Sequence, residues 1–466
     1  RIGLTFAAKE KCMSLLVMKF GGSLTASAAQ LRRVVRIIHA ESLAWQQLVV
    51  VVSAMSGATD VLRRIAELAQ QGERVAYRQL LHGLRADHLA LIESLFPLGS
   101  ARTHLINALD RQLLDLLALC ERLAHSGTLL PQQRDEAMAV GERLMASLVA
   151  ALAQQEGVRA ALVAAESVIL TDGTHQNAHP LRDAIDERAE YILRPLLKSG
   201  VVPILAGFIG ATRNGKITTL GRGGSDLTAT LLAAALGADE VWMWTSVDGI
   251  MSADPALVPN ARVIPSLTYA EISELAFFGA RVLHPDAIEP LIRPNIPLRV
   301  RNPHNLDHDG TLIQASVPED GRRAKAVTAV DGLYLALRDQ PLDLVTFLQK
   351  LRAEAPNLAA NPVIVLQSHR HATLVFVVPT SGGPQAVLEM TERLQSRLPN
   401  WEVQAVKVIA AIGATVDLHL LLDKRIRPLA SALGAAARRL IAVRPADVRA
   451  ALQQLHRLTE SDFAER

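Results

Sequence analysis

The run Leu48–Val52 (LVVVV) limits the possible folds more than any other feature of the chain. Its consecutive apolar and mostly β-branched residues are typical of a strand buried on both faces, as in a parallel sheet covered by helices. A second apolar run, 16–20, is followed by a Gly-Gly-Ser turn and then by helical spacing over 28–42. Strands and helices alternate again from about residue 158 to residue 300. The sequence therefore predicts a mainly parallel α/β sheet with helices on both faces.

Three segments depart from this alternation. Residues 60–156 are rich in Leu, Ala, Arg and Gln, which predicts three or four helices inserted into the fold. Residues 302–323 concentrate Pro, Asn, Asp, Gly and His, which predicts a linker. Residues 326–412 follow a βαββαβ order, and we expect Ala/Arg/Leu-rich helices after a possible strand at 416–423.

These segments predict two domains. A large α/β domain would cover residues 14–315, with its helical insertion at about 60–156. A smaller α+β region would cover residues 324–466 and contain a second module that is truncated or degenerate, because few strands are predicted after Leu422.

Composition excludes several classes of protein. Lys plus Arg number 49 and Asp plus Glu number 46, so the net charge is only +3 and indicates no nucleic-acid partner. The two cysteines exclude a disulfide scaffold and Cys-rich metal sites, so we expect no metal site. No uncharged apolar run reaches about 18 residues, which argues against a membrane partner. Charges at residues 9–11 do not fit a signal peptide, so we expect a cytoplasmic protein. Because the sequence begins with Arg1, we expect the start to be Met13 or Met18.

The first candidate for chemistry is Lys19, at the end of a predicted strand. Gly21 and Gly22 follow it and would let backbone N–H groups approach an anion closely, with Ser23 beside them. Lys is a compact charge suited to phosphate oxygens. An ordinary strand–turn–helix with a snorkelling Lys remains the alternative.

The second candidate is the motif Gly221-Arg222-Gly223-Gly224-Ser225-Asp226, between a short strand and a helix. Its three glycines indicate a backbone that lies close to a ligand, and its Arg can clamp a carboxylate. The Asp could orient the Lys, or it could simply cap the helix. The spacing fits neither a Walker A loop nor the dinucleotide fingerprint.

Together these motifs resemble those of the aspartokinases. The turn after Lys19 resembles their opening "KFGGTS", and residues 218–226 are the closest match. The resemblance covers about residues 17–315, in the order found in that family. The other matching blocks are residues 53–60, 140–143, 207–210, 244–255 and 278–285.

The resemblance implies a three-layer αβα sandwich of the amino-acid-kinase type, followed by ACT-like regulatory modules. It also implies transfer of the ATP γ-phosphoryl group to the β-carboxylate of L-aspartate, the first step of lysine, threonine and methionine biosynthesis, with Mg²⁺ carried by the nucleotide. Two alternatives remain open: a kinase of the same fold acting on glutamate, acetylglutamate or UMP, and a catalytically idle regulatory paralogue.

The resemblance assigns roles to individual residues. Lys19 and Asp226 would be the catalytic pair. Glu142 would bind the ammonium of the substrate, and Arg222 would bind its α-carboxylate. Without the resemblance, the sequence around Glu142 predicts only a solvated carboxylate on a helix. Further substrate contacts would come from Ser53, Thr59 and Ser225. The nucleotide set would be Lys19, Gly21, Gly22, Ser23, Thr245, Ser246, Met251, Asp254 and Arg281.

The nucleotide half departs from the family pattern. Ser246 replaces an Asp, Met251 a Tyr and Ala256 an Arg that contacts phosphates, while Arg281 replaces a Lys. Loss of one charge-assisted hydrogen bond would weaken ATP binding by about 1–3 kcal/mol. A slow kinase or a shifted nucleotide preference would result.

The C-terminal region resembles paired ACT modules only in its element order. The inhibitor loop of the family often ends in Glu, but here it is Gln367-Ser368-His369-Arg370-His371. A pocket without that carboxylate would bind lysine or threonine poorly, so we expect weak or absent feedback inhibition. The family resemblance further implies a homodimer formed through the ACT-like modules.

Overall fold

The structure is a computed structural model with two compact units. It describes residues 15–280, 283–318, 324–338, 344–354, 362–367, 371–378, 383–414, 418, 422–423, 426–433 and 438–460. The first unit contains the chain up to Asp248 together with 286–315, and the second contains 249–285 together with the chain from Ser316. Segment 249–285 thus packs with the C-terminal part, whereas the predicted division assigns it to the large domain.

Strands form at most of the predicted apolar runs. They are β1 (Leu15–Phe20), β2 (Gln47–Val52), β3 (Ala160–Val163), β4 (Leu170–Thr171), β5 (Val202–Ala206), β6 (Ile209–Thr212), β7 (Ile217–Thr219), β8 (Glu240–Trp244), β9 (Ser266–Thr268), β10 (Leu298–Arg301), β11 (Thr311–Gln314), β12 (Ala326–Arg338), β13 (Ile364–Gln367), β14 (His371–Val377), β15 (Trp401–Ile412), β16 (Ala430–Leu433) and β17 (Arg438–Val443).

Helices connect these strands. They are α1 (Ala28–Ala44), α2 (Ala58–Gln70), α3 (Arg74–Leu95), α4 (Ser100–Ser126), α5 (Pro131–Gln155), α6 (Arg182–Arg188), α7 (Arg194–Lys198), α8 (Gly224–Leu236), α9 (Tyr269–Phe277), α10 (Glu289–Ile292), α11 (Leu344–Glu354), α12 (Gly383–Arg397) and α13 (Val448–Leu455). Among the described residues, none of them has the length and apolar composition needed to cross a bilayer.

The first unit is built on a sheet with the strand order β3-β5-β2-β1-β8-β10-β11. Neighbouring strands from β3 to β10 run parallel, and β11 joins antiparallel to β10. A small additional sheet has the order β4-β6-β7. Central strands β1 and β2 are almost completely buried, as their uninterrupted apolar sequences predict.

Helices pack against this sheet as the αβα prediction requires. The side chains of Leu16, Met18 and Phe20 share one hydrophobic core with α1, α2 and α5, while α8 packs against β1, β2 and β8. The predicted insertion is a set of four helices, α2 to α5, and the fold-class prediction is confirmed.

The second unit contains a sheet with the strand order β13-β14-β12-β15-β17-β16. Its pairings are antiparallel. Helices α11 and α12 share a core with β12, β14 and β15. After Leu422 the described residues form two strands, β16 and β17, which pair with each other, and β17 also extends the sheet from β15. The possible strand at 416–423 lies mostly outside the described residues.

Candidate active site

The carboxyl ends of β1, β2 and β5 open into one cleft of about 350 Å³. In a parallel sheet these ends meet at the same edge, where ligands of open α/β folds bind. Lys19 stands near the end of β1, in register with Val51 of β2 and Met243 of β8. The cleft is lined by Lys19, Gly22, Ser53, Ala54, Met55, Ser56, Gly57, Thr59, Glu142, Phe208, Gly221, Gly223, Gly224, Ser225 and Asp226.

Lys19 and Asp226 meet in this cleft. The Nζ atom of Lys19 lies 2.5 Å from Oδ1 of Asp226, and the side chains are 13% and 15% exposed. Asp226 lies in the first turn of α8, which begins at Gly224. The structure therefore brings together the two charged groups that the glycine-rich motifs carry, and the start of α8 adds a favourable dipole for anions.

Glu142 faces the same cleft from α5. Its side chain is buried, with 4% exposure, and its Oε2 atom has no hydrogen-bond partner among the described residues. Burial raises the pKa of this carboxyl to about 8, although a hydrogen bond from the backbone of Ala54 acts in the opposite direction. A buried acceptor without a partner is suited to a cationic ligand group, because leaving it unpaired is costly.

The other predicted substrate residues divide into two groups. Ser53, Thr59 and Ser225 line the cleft with Glu142. Arg222 lies between two lining glycines, but its side chain is exposed and does not line the cleft. Of the five predicted substrate residues, only Arg222 does not line the cleft.

The predicted nucleotide residues belong to both units. Gly21, Gly22 and Ser23 form the turn after β1, where the Gly21 N–H donates to the Trp244 carbonyl at 3.3 Å. Thr245 and Ser246 follow β8 in the first unit.

Three further nucleotide predictions concern residues after Asp248. Met251 and Asp254 belong to the second unit. Met251 forms an isolated antiparallel β-bridge with Val263. Asp254 accepts a hydrogen bond from the Ala256 N–H at 2.9 Å. Arg281 lies outside the described residues.

Phe208 also lines the cleft, although the sequence alone predicts no role for it. Its backbone has φ 70°, unusual for a bulky residue. The N–H of Phe208 donates to Thr228 Oγ1 of α8 at 3.1 Å. The sequence signal for this position is the block 207–210, which resembles the corresponding block of the aspartokinases.

Within the described residues, no group of three or more His, Cys, Asp or Glu side chains is arranged to hold a metal ion. The cleft instead combines the ammonium of Lys19 with the carboxyl groups of Glu142 and Asp226, and the exposed Arg222 belongs to the loop between two lining glycines. This set can neutralise phosphate charge and bind a zwitterion at the same time.

Comparison with known proteins agrees with this geometry. Residues 14–302 match the amino acid kinase family. The chain is 35% identical over 299 residues to lysine-sensitive aspartokinase 3 of Escherichia coli, with 64% of each chain covered. It is 33% identical over 429 residues to chloroplastic aspartokinase 2 of Arabidopsis thaliana, covering 88% of this chain and 76% of the relative.

A solved structure of E. coli aspartokinase III with aspartate and ADP superposes with a TM-score of 0.77 at 27% identity, covering 96% of this chain and 99% of that one. The chain spans 48% to 64% of the length of several curated relatives that it matches, the E. coli relative among them. The family match extends over more than half of the chain, and the Arabidopsis relative is covered over more than two thirds of its length. The chain therefore belongs to the amino acid kinase family and, within it, to the aspartokinases.

Proposed function

We propose that the protein is an aspartate kinase that transfers the γ-phosphoryl group of ATP to the β-carboxylate of L-aspartate. The observation that carries the proposal is the Lys19–Asp226 ion pair in one cleft with the buried, unpartnered carboxyl of Glu142. The likeness to an aspartokinase solved with aspartate and ADP supports the same substrates. The product, 4-phospho-L-aspartate, would begin the lysine, threonine and methionine pathways.

The cleft is suited to aspartate because its charges complement a zwitterion with an extra carboxylate. Glu142 would take the ammonium, which supplies the missing partner of Oε2. Arg222 would turn from its exposed position to grip the α-carboxylate in a bidentate fashion. Ser53, Thr59 and Ser225 would add hydrogen bonds around the substrate.

Phosphoryl transfer in this site needs positioning and charge stabilisation rather than a protein nucleophile. A β-carboxylate oxygen of aspartate would form the new bond to the γ-phosphorus while the bond to the β,γ-bridging oxygen breaks and ADP leaves. Lys19 would stabilise charge on the transferring group, and Asp226 would hold the Lys19 ammonium in place. The turn at Gly21, Gly22 and Ser23 would offer the backbone N–H groups of Gly22 and Ser23 to phosphate, while the Gly21 N–H stays bonded to the Trp244 carbonyl.

Mg²⁺ would enter with ATP. The ion prefers oxygen ligands, and Asp226, which lines the cleft, would supply a carboxylate oxygen. It would neutralise phosphate charge. The nucleotide set would also include Thr245, Ser246, Met251, Asp254 and Arg281, with weakened ATP affinity because Ala256 lacks a guanidinium.

The direct test is trapping of the acyl phosphate with hydroxylamine in the presence of ATP, Mg²⁺ and L-aspartate. We expect aspartyl hydroxamate from the unmodified protein with L-aspartate. A parallel assay of ADP release should show little turnover with glutamate, acetylglutamate or UMP. Lys19→Met should lower kcat about 10²–10³-fold, as expected for the loss of one stabilising group aimed at the transition state. Absence of product from the folded, unmodified protein would favour the idle paralogue instead.

A further inference from the structure

Asp135 is a buried carboxyl group outside the cleft. It lies on α5, two turns before Glu142, and its side chain is completely buried. Seven residues correspond to almost two full turns, so Asp135 and Glu142 project from nearly the same face of the helix. Asp135 is therefore rigidly linked to the group proposed to bind the substrate ammonium.

The carboxyl group of Asp135 accepts hydrogen bonds from two other segments. The Thr219 hydroxyl donates to Oδ1 at 2.7 Å, at the end of β7 and just before the glycine-rich motif. The Gln176 N–H donates to Oδ2 at 3.1 Å, and His175 Nδ1 lies 2.8 Å from the same atom. Because a carboxylate oxygen accepts, the ring nitrogen carries the proton of this bond.

The segment held by Asp135 supports the Arg222 loop. A Cβ atom added to Gly221 would lie 2.5 Å from Asn177 Oδ1, so the two segments are in close contact. The Ala178 N–H also donates to the Thr219 carbonyl at 3.0 Å. Gln176 adopts φ 70°, a conformation that costs energy in a residue other than glycine and that surrounding bonds must maintain.

We infer that Asp135, together with His175, is a positioning residue that fixes the loop carrying Arg222 relative to the helix carrying Glu142. The carboxyl group of Asp135 thereby sets the separation between Glu142, which would bind the ammonium of aspartate, and Arg222, which would bind its α-carboxylate. The inference rests on the proposed function, since it concerns affinity for aspartate. It assigns a role to His175, for which the sequence indicated no ligand pattern.

The test compares three variants by steady-state kinetics and thermal unfolding. Asp135→Asn replaces one acceptor oxygen by an amide donor, so at least one of its three hydrogen bonds is lost. His175→Phe removes the imidazole partner. His179→Phe is the matched control, because His179 belongs to the same segment but pairs with Asp172 and is exposed.

For Asp135→Asn and His175→Phe we expect KM for aspartate to rise about tenfold, the effect of one lost hydrogen bond to a charged group. KM for ATP should change less than about twofold, as should both constants in His179→Phe. A purely structural role would instead lower the melting temperature and kcat and leave KM for aspartate unchanged. That result would overturn the inference. If Asp135→Asn does not fold, the KM of His175→Phe for aspartate provides the test.

The two proposals can fail separately. An unmodified protein that forms no aspartyl phosphate contradicts the proposed function. An unmodified protein that is active, with variants whose KM for aspartate equals that of the control, contradicts only the positioning role of Asp135.

Discussion

The Glu142 carboxyl differs from the solvated carboxyl of an ordinary surface helix because it is buried. Burial raises its pKa to about 8. Below that pH the group is mainly protonated and neutral in the free protein. A substrate ammonium favours the ionised form, because the opposite charge offsets the desolvation that burial imposes. Binding of aspartate should therefore release a proton from Glu142.

This linkage predicts that aspartate binds more tightly as pH rises. Since the free carboxyl ionises near pH 8, KM for aspartate should fall continuously from about pH 6.5 to about pH 8 and level off above it. Titration calorimetry in buffers of different ionisation enthalpy would show a proton released on binding. A KM that is constant over this range would contradict the prediction.

Glu142→Gln is the control for this prediction. The amide keeps the size of the side chain but cannot ionise, so the pH dependence should disappear and KM for aspartate should rise at least about tenfold. An unchanged pH profile in this variant would assign the titration to another group.

The residues of the site differ in how well the sequence predicts them. Lys19 and Asp226 were predictable because glycines beside a strand end mark a place where the backbone approaches a ligand. Glu142 and Asp135 were not predictable from local sequence, since a carboxylate on an Ala-rich helix has the pattern of a solvated one. Their burial depends on how α5 packs against β7 and the sheet, which is tertiary information.

At the scale of elements, prediction succeeded where the sequence of a strand is apolar throughout, which is typical of a strand buried on both faces. The predicted strand at 48–52 is β2, and its ends agree to within one residue. The strand β11 was missed because it lies in the predicted linker, and its four residues form a strand only through pairing with β10. The strand β17 lies in a segment where helices were expected. Pairing with β15 and β16 overrides the helix propensity of the Ala/Arg/Leu-rich sequence around it.

The junction between β5 and α8 yields a prediction about close packing. A Cβ atom at Gly207 would lie 2.5 Å from the Ser225 Cβ, so Gly207→Ala must push the start of α8 away from β5. We expect the free energy of unfolding to fall by about 1–3 kcal/mol. Phosphoryl transfer should fall more than about tenfold, since Asp226 moves with α8.

Gly83→Ala is the matched control for this substitution. Gly83 lies inside α3, is exposed, and has nothing within 4 Å of an added Cβ. Alanine there should raise the free energy of unfolding by about 0.5–1 kcal/mol. Urea unfolding of both variants provides the measurement, and equal effects would contradict the packing argument.

At the scale of the whole molecule, the second unit presents apolar groups that its own cores do not cover. Val365 and Leu366 of β13 are 41% and 45% exposed, and Leu388 of α12 is 50% exposed. Exposed apolar groups on a strand favour association with another chain. The proposal of a homodimer formed through the ACT-like region is supported by this surface.

The homodimer predicts a mass of about twice 50.3 kDa in sedimentation equilibrium. Leu366→Lys should shift the equilibrium towards the monomer, because burying an unpaired ammonium at an interface is costly. Leu98→Lys, at a position 87% exposed in the helical insertion, should leave the mass unchanged. If the unmodified protein sediments as a monomer, or if Leu366→Lys and Leu98→Lys behave alike, association does not proceed through β13.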